Sequence, residues 1–238
     1  MIDAIHYVID LETMGKGPRA AIVAIGAVRV EHGQPAGEFY CRVDLASSLG
    51  WGLEPDSSTI QWWLKQSTEA RTEVDGSIPG VILPAALDAL GQFILSGPTG
   101  ARLSTDPLVW GNGATFDNVI LTSAYTACGM ERPWKYWNDR DLRTLLNLYP
   151  EAKTIEFDGI KHHALHDARH EAKQLGKALS LHAAQAESRI VLADLLRQAT
   201  TMLADPDMTA RRRLASLIEG ELENNPLLQV EREEVSHG

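Results

Sequence analysis

The chain has 238 residues, 44% of them hydrophobic and 23% charged, and a net charge of −10. That length holds one large domain, or one of roughly 180 residues with an appendage, and the composition is ordinary for a soluble globular protein. The acidic balance argues against a long basic track for nucleic acid, because phosphate contacts supply most of the affinity there. No apolar run reaches the ~18 residues of a membrane helix, and the amino terminus lacks a basic-then-apolar leader. Two cysteines, Cys41 and Cys128, make neither a disulfide framework nor a zinc pattern and read as small core residues of a cytoplasmic protein.

The first predicted element is the strand Tyr7 to Met14 (YVIDLETM). Asp10 and Glu12 stand two positions apart on it and therefore share a face. Two adjacent carboxylates on a core strand repel each other and resist desolvation, and a hard divalent cation is the natural compensation. The simpler reading of a lone Asp-x-Glu is a strand end where both groups reach water. After the turn Gly15-Lys16-Gly17-Pro18, Ala21 to Val30 reads as a second buried strand and Glu38 to Val43 as a third, an antiparallel meander. Ser58 and Gln61 fit a capping box that opens a helix from Thr59 to about Glu73. Trp62 and Trp63 on that helix read first as core, although aromatics beside a nuclease site can stack on bases. Pro84 to about Leu95 is a helix with proline in its first turn, and Ser96 to Pro107 a polar loop.

Leu108-Val109-Trp110 is a short strand running into Gly111-Asn112-Gly113, and Asp117 opens a helix to Cys128. Strands followed by helices in this order give a mixed α/β fold. Asp141 could open another helix, where Arg143 reads as a surface group before a phosphate contact. Lys161 to Ala168 (KHHALHDA) precedes a helix of good formers from Asp167 to about Ala186. His162 and His166 have zinc-site spacing, but His162 falls in the loop before the helix. From about Ser188 the pattern becomes two amphipathic helices, the second capped by Asp205-Pro206 and ended by Asn224-Asn225-Pro226, with an acidic tail after Val230 read as disordered.

Asp10, Glu12, Asp117 and Asp167, with His162 five residues before Asp167, form the kit of two-metal phosphodiester hydrolysis. There, two cations about 3.5–4 Å apart bind the attacking and leaving oxygens, and a histidine titrating near neutrality can take the water's proton.

The chain resembles the DEDDh exonucleases, the DnaQ-like group with a ribonuclease-H-like fold. Three motifs appear in order: Asp10-Leu11-Glu12-Thr13, Gly111 to Asp117 (GNGATFD) and His162 to Ala168 (HHALHDA). Asp10 to Gly15 (DLETMG), Ala20 to Val28, Thr59 to Trp63 (TIQWW) and Asp141 to Thr144 (DLRT) are similar to the small mycobacterial-type exoribonucleases and the nuclease region of exonuclease VIII. The likeness spans roughly residues 5–185. It implies an α/β, ribonuclease-H-like mixed sheet flanked by helices over residues 1–187; the helical extension and acidic tail over 188–238 lie outside the likeness and are read from the pattern alone. It also implies that Asp10, Glu12 and Asp167 hold one Mg²⁺ or Mn²⁺ ion and Asp10 with Asp117 a second. His162 is then the general base, with His163 and His166 outside the chemistry. Thr13 and Met14, through main-chain groups and the Met14 side chain, and Phe116 border the terminal nucleotide.

The activity so implied is 3′→5′ removal of nucleoside monophosphates from single-stranded RNA or DNA ends, with no membrane partner. The sugar preference stays open, as does whether the extension packs on the domain, forms a homodimer contact or binds a partner. Two competing readings are a binding or assembly protein that kept the fold and lost catalysis, and a zinc hydrolase built on His162, His163 and His166.

Overall fold

Strands β1 (His6–Thr13), β2 (Ile22–Glu31), β3 (Gln34–Arg42), β4 (Leu108–Gly111) and β5 (Asp139–Asp141) form one sheet of order β3-β2-β1-β4-β5. β1 to β3 pair antiparallel, as the short turns between them require; β4 is parallel to β1 and β5 to β4. The coordinates are a computed structural model that describes residues 4–96, 106–204 and 208–224. The chain divides into two compact units, Met1–Leu179 and Ser180–Gly238.

Central position explains composition. β1 and β2 are buried on both faces almost throughout, which suits their runs of Val, Ile and Ala, whereas edge strand β3 is exposed or half-buried. β4 pairs with β1 only from His6 to Val8, so the two strands part before Leu11.

The helices are α1 (Leu45–Gly50), α2 (Ser57–Trp63), α3 (Thr68–Arg71), α4 (Leu83–Leu95), α5 (Asp117–Ala127), α6 (Leu142–Leu148), α7 (Ala164–Ala204) and α8 (Met208–Asn224). On α4, Leu83, Ala86, Leu87, Leu90 and Ile94 are buried at helical spacing and belong to the main core with β1 and β2. Cys41 and Cys128 pack against that core as free thiols.

Four expectations differ from the structure. The helix anticipated from Thr59 to Glu73 is two helices, because the Ser67 side chain accepts from the Ala70 N–H and restarts the chain as α3. The cap of α2 is Asp56, accepting from Thr59 N at 3.0 Å, and not Ser58. The last large helix begins at Ala164, three residues before Asp167. It also runs on without the break expected near Ser188, since the sequence has neither glycine nor proline between Gly176 and Ala204. α1 and β5 are additional short elements. The Asp205-Pro206 cap, the Asn225-Pro226 stop, the acidic tail and most of the Ser96–Pro107 loop lie outside the described residues.

No helix among the described residues is long and apolar enough to cross a membrane.

Candidate active site

The carboxyl ends of β1 and β4, where the two strands diverge, open into a cleft of about 520 Å³. Its walls carry Asp10 and Glu12 from β1, His162 from the loop before α7, Asp167 and Glu171 from α7, and the rings of Trp62, Trp63 and Phe116. The alternation of β1 aims Asp10 and Glu12 into it together. A register irregularity between Glu12 and Thr13 ends the regular pairing with β2 at this point, a usual device for redirecting a strand beside a site.

Gly26 brings α7 within reach. It pairs with Asp10 across the sheet, and a Cβ there would lie 2.2 Å from the backbone of Ala164. Only a residue without a side chain lets the first turn of α7 rest on the strand opposite Asp10.

His162 has a left-handed backbone, φ 63°, uncommon for a residue with a Cβ. The bend carries its imidazole to the carboxylates: one ligand atom each of Glu12, His162 and Asp167 lie within 4.8 Å of one another. The ring meets Trp62 edge-on, with centroids 4.8 Å apart. His163 turns the other way, stacking on Tyr40 at 4.8 Å and on His166 at 4.0 Å, with Nε2 3.7 Å from Glu73 Oε1. Nδ1 of His166 accepts from the Ile160 N–H at 3.0 Å. The three histidines therefore do not converge, and a zinc site built on them is not formed.

Asp117 lies just beneath the cleft, 4% exposed. Because β4 has left the ladder, the Leu11 N–H is free to donate to Asp117 Oδ1, at 3.3 Å. The glycine loop before it is held from two sides. Asp141 caps α6 through one oxygen and accepts from the Ala114 N–H at 2.9 Å through the other. The Arg143 guanidinium donates to the Asn112 carbonyl at 2.6 Å, so this arginine braces the loop.

Trp63 is buried and its indole N–H donates to the Thr13 carbonyl at 2.9 Å, whereas Trp62 is 40% exposed on the cleft wall. Thr13 and Phe116 line the cleft. Met14 is not among the cleft-lining residues: its N–H donates to Ala21 O, its carbonyl accepts from Asp56 N, and its side chain packs in the core. Sequence reasoning missed Glu171. Its spacing of four from Asp167 was the available signal, since such residues share a helix face.

Burial and mutual repulsion set the electrostatics. The carboxyls of Asp10, Glu12 and Glu171 are held well above the usual carboxylate range, first by loss of water and then by one another and their neighbours Asp117 and Asp167. Burial also pushes Asp117 up to about 7 and raises Asp167, each partly offset by main-chain N–H donors. A largely buried set of oxygen donors whose negative charge is only partly offset, by main-chain N–H groups and the Arg143 guanidinium, fits hard divalent cations.

The sign of the pH effect follows. A carboxyl raised in the folded state binds protons that the unfolded chain releases near pH 4, so stability falls as pH rises from about 4 through the folded values, near 7 for Asp117. The metal-free protein is expected to melt lower at about pH 8 than at about pH 5, and millimolar Mn²⁺ to raise and flatten that curve. Melting scans with EDTA and with Mn²⁺ check this; a metal-free curve that rises with pH would contradict it.

A carboxylate cleft at the carboxyl ends of neighbouring parallel strands, in a sheet of this mixed order, is the arrangement of the exonucleases with a ribonuclease-H-like fold. The chain belongs to the family described as the 3′-5′ exoribonuclease Rv2179c-like domain, which matches residues 5–179, and it is a 3′-5′ exonuclease. The exodeoxyribonuclease of Enterobacteria phage T4 is 29% identical over 163 residues, covering 58% of this chain and 69% of the phage protein. The nuclease domain of 3′hExo, a DEDDh family member bound to rAMP, shares the fold with a TM-score of 0.51 at 14% identity, over 74% of this chain and 92% of that one. The zinc-bound E. coli ExoI–ssDNA complex aligns with a TM-score of 0.50 at 15% identity, over 84% of this chain but 45% of that one.

Proposed function

We propose that the protein removes nucleoside monophosphates from the 3′ ends of single-stranded RNA or DNA by a two-metal mechanism in which His162 is the general base. The observation that carries the reading is the approach of Glu12, His162 and Asp167 within 4.8 Å, beside the half-buried Asp10 and the buried Asp117. In this reading Asp10, Glu12 and Asp167 would hold one Mg²⁺ or Mn²⁺ ion, and Asp10 with Asp117 the other. The chemistry such a pair supplies is positive charge at the attacking and leaving oxygens of an in-line displacement.

The protein's own groups do the rest. His162 takes the proton of the attacking water, and its edge-on contact with Trp62 limits the ring's rotation. Trp62, exposed on the wall, offers a face to the terminal base, and Thr13 and Phe116 border the nucleotide. A cleft of this size on an acidic protein suits a single-stranded end more than a long duplex. The nuclease part is assigned to residues 1–187, and the rest of α7 with α8 to an extension. The unpaired thiols suit a reducing cytoplasm.

The test is cleavage of matched single-stranded RNA and DNA oligonucleotides labelled at the 5′ end, with Mn²⁺, Mg²⁺ or EDTA. A ladder shortening from the 3′ end with metal and absent with EDTA is expected, and the faster strand names the sugar. Cleavage that persists in EDTA would refute the metal-dependent reading.

A further inference from the structure

Glu171 enters the cleft one helical turn beyond Asp167 and is 6% exposed. Its Oε1 accepts from Asn112 Nδ2 at 2.9 Å; its Oε2 is buried with no hydrogen-bond partner. The same side chain also borders the neighbouring hollow lined by Arg143, Lys153 and His170, so the wall it forms with Asp167 separates two cavities. A buried carboxylate oxygen without a donor, set among like charges, opposes folding unless something positive meets it. Anchoring Asn112 does not account for it, because a glutamine amide oxygen accepts the same bond without charge. A bare oxygen of this kind is a donor atom for a hard cation.

We propose that Glu171 is a fifth carboxylate of the metal centre, with Oε1 tied to Asn112 so that Oε2 stays turned toward a divalent cation on the Asp10–Asp117 side of the cleft. The proposal rests on the metal-dependent reading above and adds a residue to it. The bond to Asn112 couples the glycine loop that carries Asp117 to the helix that carries Asp167, so loading the site with metal tightens both.

The experiment is calorimetric titration of the full chain with Mn²⁺, alongside metal-free melting, for the wild type, Glu171→Gln and Asp10→Asn. Glu171→Gln keeps the shape and the Asn112 contact and removes one charge. It is expected to bind Mn²⁺ about 10- to 100-fold more weakly and, without metal, to melt no lower than the wild type, because the carboxyl it removes is opposed by burial and by its acidic neighbours. A merely structural glutamate predicts the reverse, a lower metal-free melting point with unchanged Mn²⁺ affinity, and that result overturns the proposal. Asp10→Asn separates the two levels. If Asp10→Asn also binds Mn²⁺ like the wild type, the metal-centre reading fails; if it loses binding while Glu171→Gln keeps it, only the role of Glu171 fails. Should Glu171→Gln not fold, Glu171→Asp keeps the charge but withdraws the oxygen by one methylene; weakened Mn²⁺ binding supports the proposal, and unchanged affinity overturns it.

Discussion

His162→Ala is expected to lower the cleavage rate at about pH 7 by roughly 10²- to 10⁴-fold, the range a positioned general base contributes, while His163→Ala keeps most of it. The two imidazoles are adjacent in sequence but part at the left-handed turn. One reaches Glu12 and Asp167; the other stacks between Tyr40 and His166 over the buried Glu73. Burial also holds His163 below the ordinary histidine value. Its loss removes ring packing worth about 0.5–1.5 kcal/mol, so His163→Ala appears in the melting curve and not in the rate. Initial rates with saturating Mn²⁺ check the pair, and Mn²⁺ affinity refines the assignment. A base leaves the affinity of His162→Ala unchanged, whereas a histidine that binds the cation directly weakens it. A dead His163 variant beside an active His162 variant would reverse the roles.

Gly26→Ala is the second large effect, and it acts through the fold. The new Cβ would lie 2.2 Å from the Ala164 backbone, and neither strand nor helix can yield as the end of a flexible side chain could. Overpacking against a backbone costs at least about 1–3 kcal/mol, which for a domain of this size lowers the melting point by roughly 2–4 °C per kcal/mol. α7 must lift, and it carries Asp167 away from Asp10 and Glu12. A displacement of about 1 Å in a positioned catalytic group can cost 10²-fold. Activity is therefore expected to fall by about that factor at temperatures where Gly26→Ala is still folded. Full activity with a shifted melting point would show that the site tolerates movement of α7.

Much of this architecture was legible in order along the chain. The three-strand meander is written in apolar runs broken by glycine and proline turns, and α4 in its 3–4 spacing of Leu and Ala. Asp10 and Glu12 stood out because strand alternation alone puts them on one face. A histidine-rich loop before a strong helix marks the region of Asp167, and the resemblance, which sets a histidine five residues before the last acid, marks His162 within it. Local competition between caps misled at Ser58 and again beyond Trp63, where Asp56 and Ser67 win by offering their side chains to the N–H groups three residues on. Propensity could not show that α7 continues past Ser188, since a change of amphipathic face without a breaker does not end a helix.

What the sequence determined by itself was the strand pattern, a resemblance to one family, and four spaced acids with a histidine-rich loop before the last of them. Those depend on spacing along the chain, where side-chain direction follows from backbone period. Only the tertiary structure decided which neighbours face the cleft: His162 and not His163, Trp62 on the wall with Trp63 in the core, Met14 turned inward, and Glu171 beside Asp167. Each of those choices depends on how a helix or turn docks on the sheet, across Gly26 or around a single left-handed residue. The contact of Gly26 with Ala164 joins residues more than a hundred positions apart, which no local pattern encodes; Glu171 beside Asp167 is the exception, since its spacing is local.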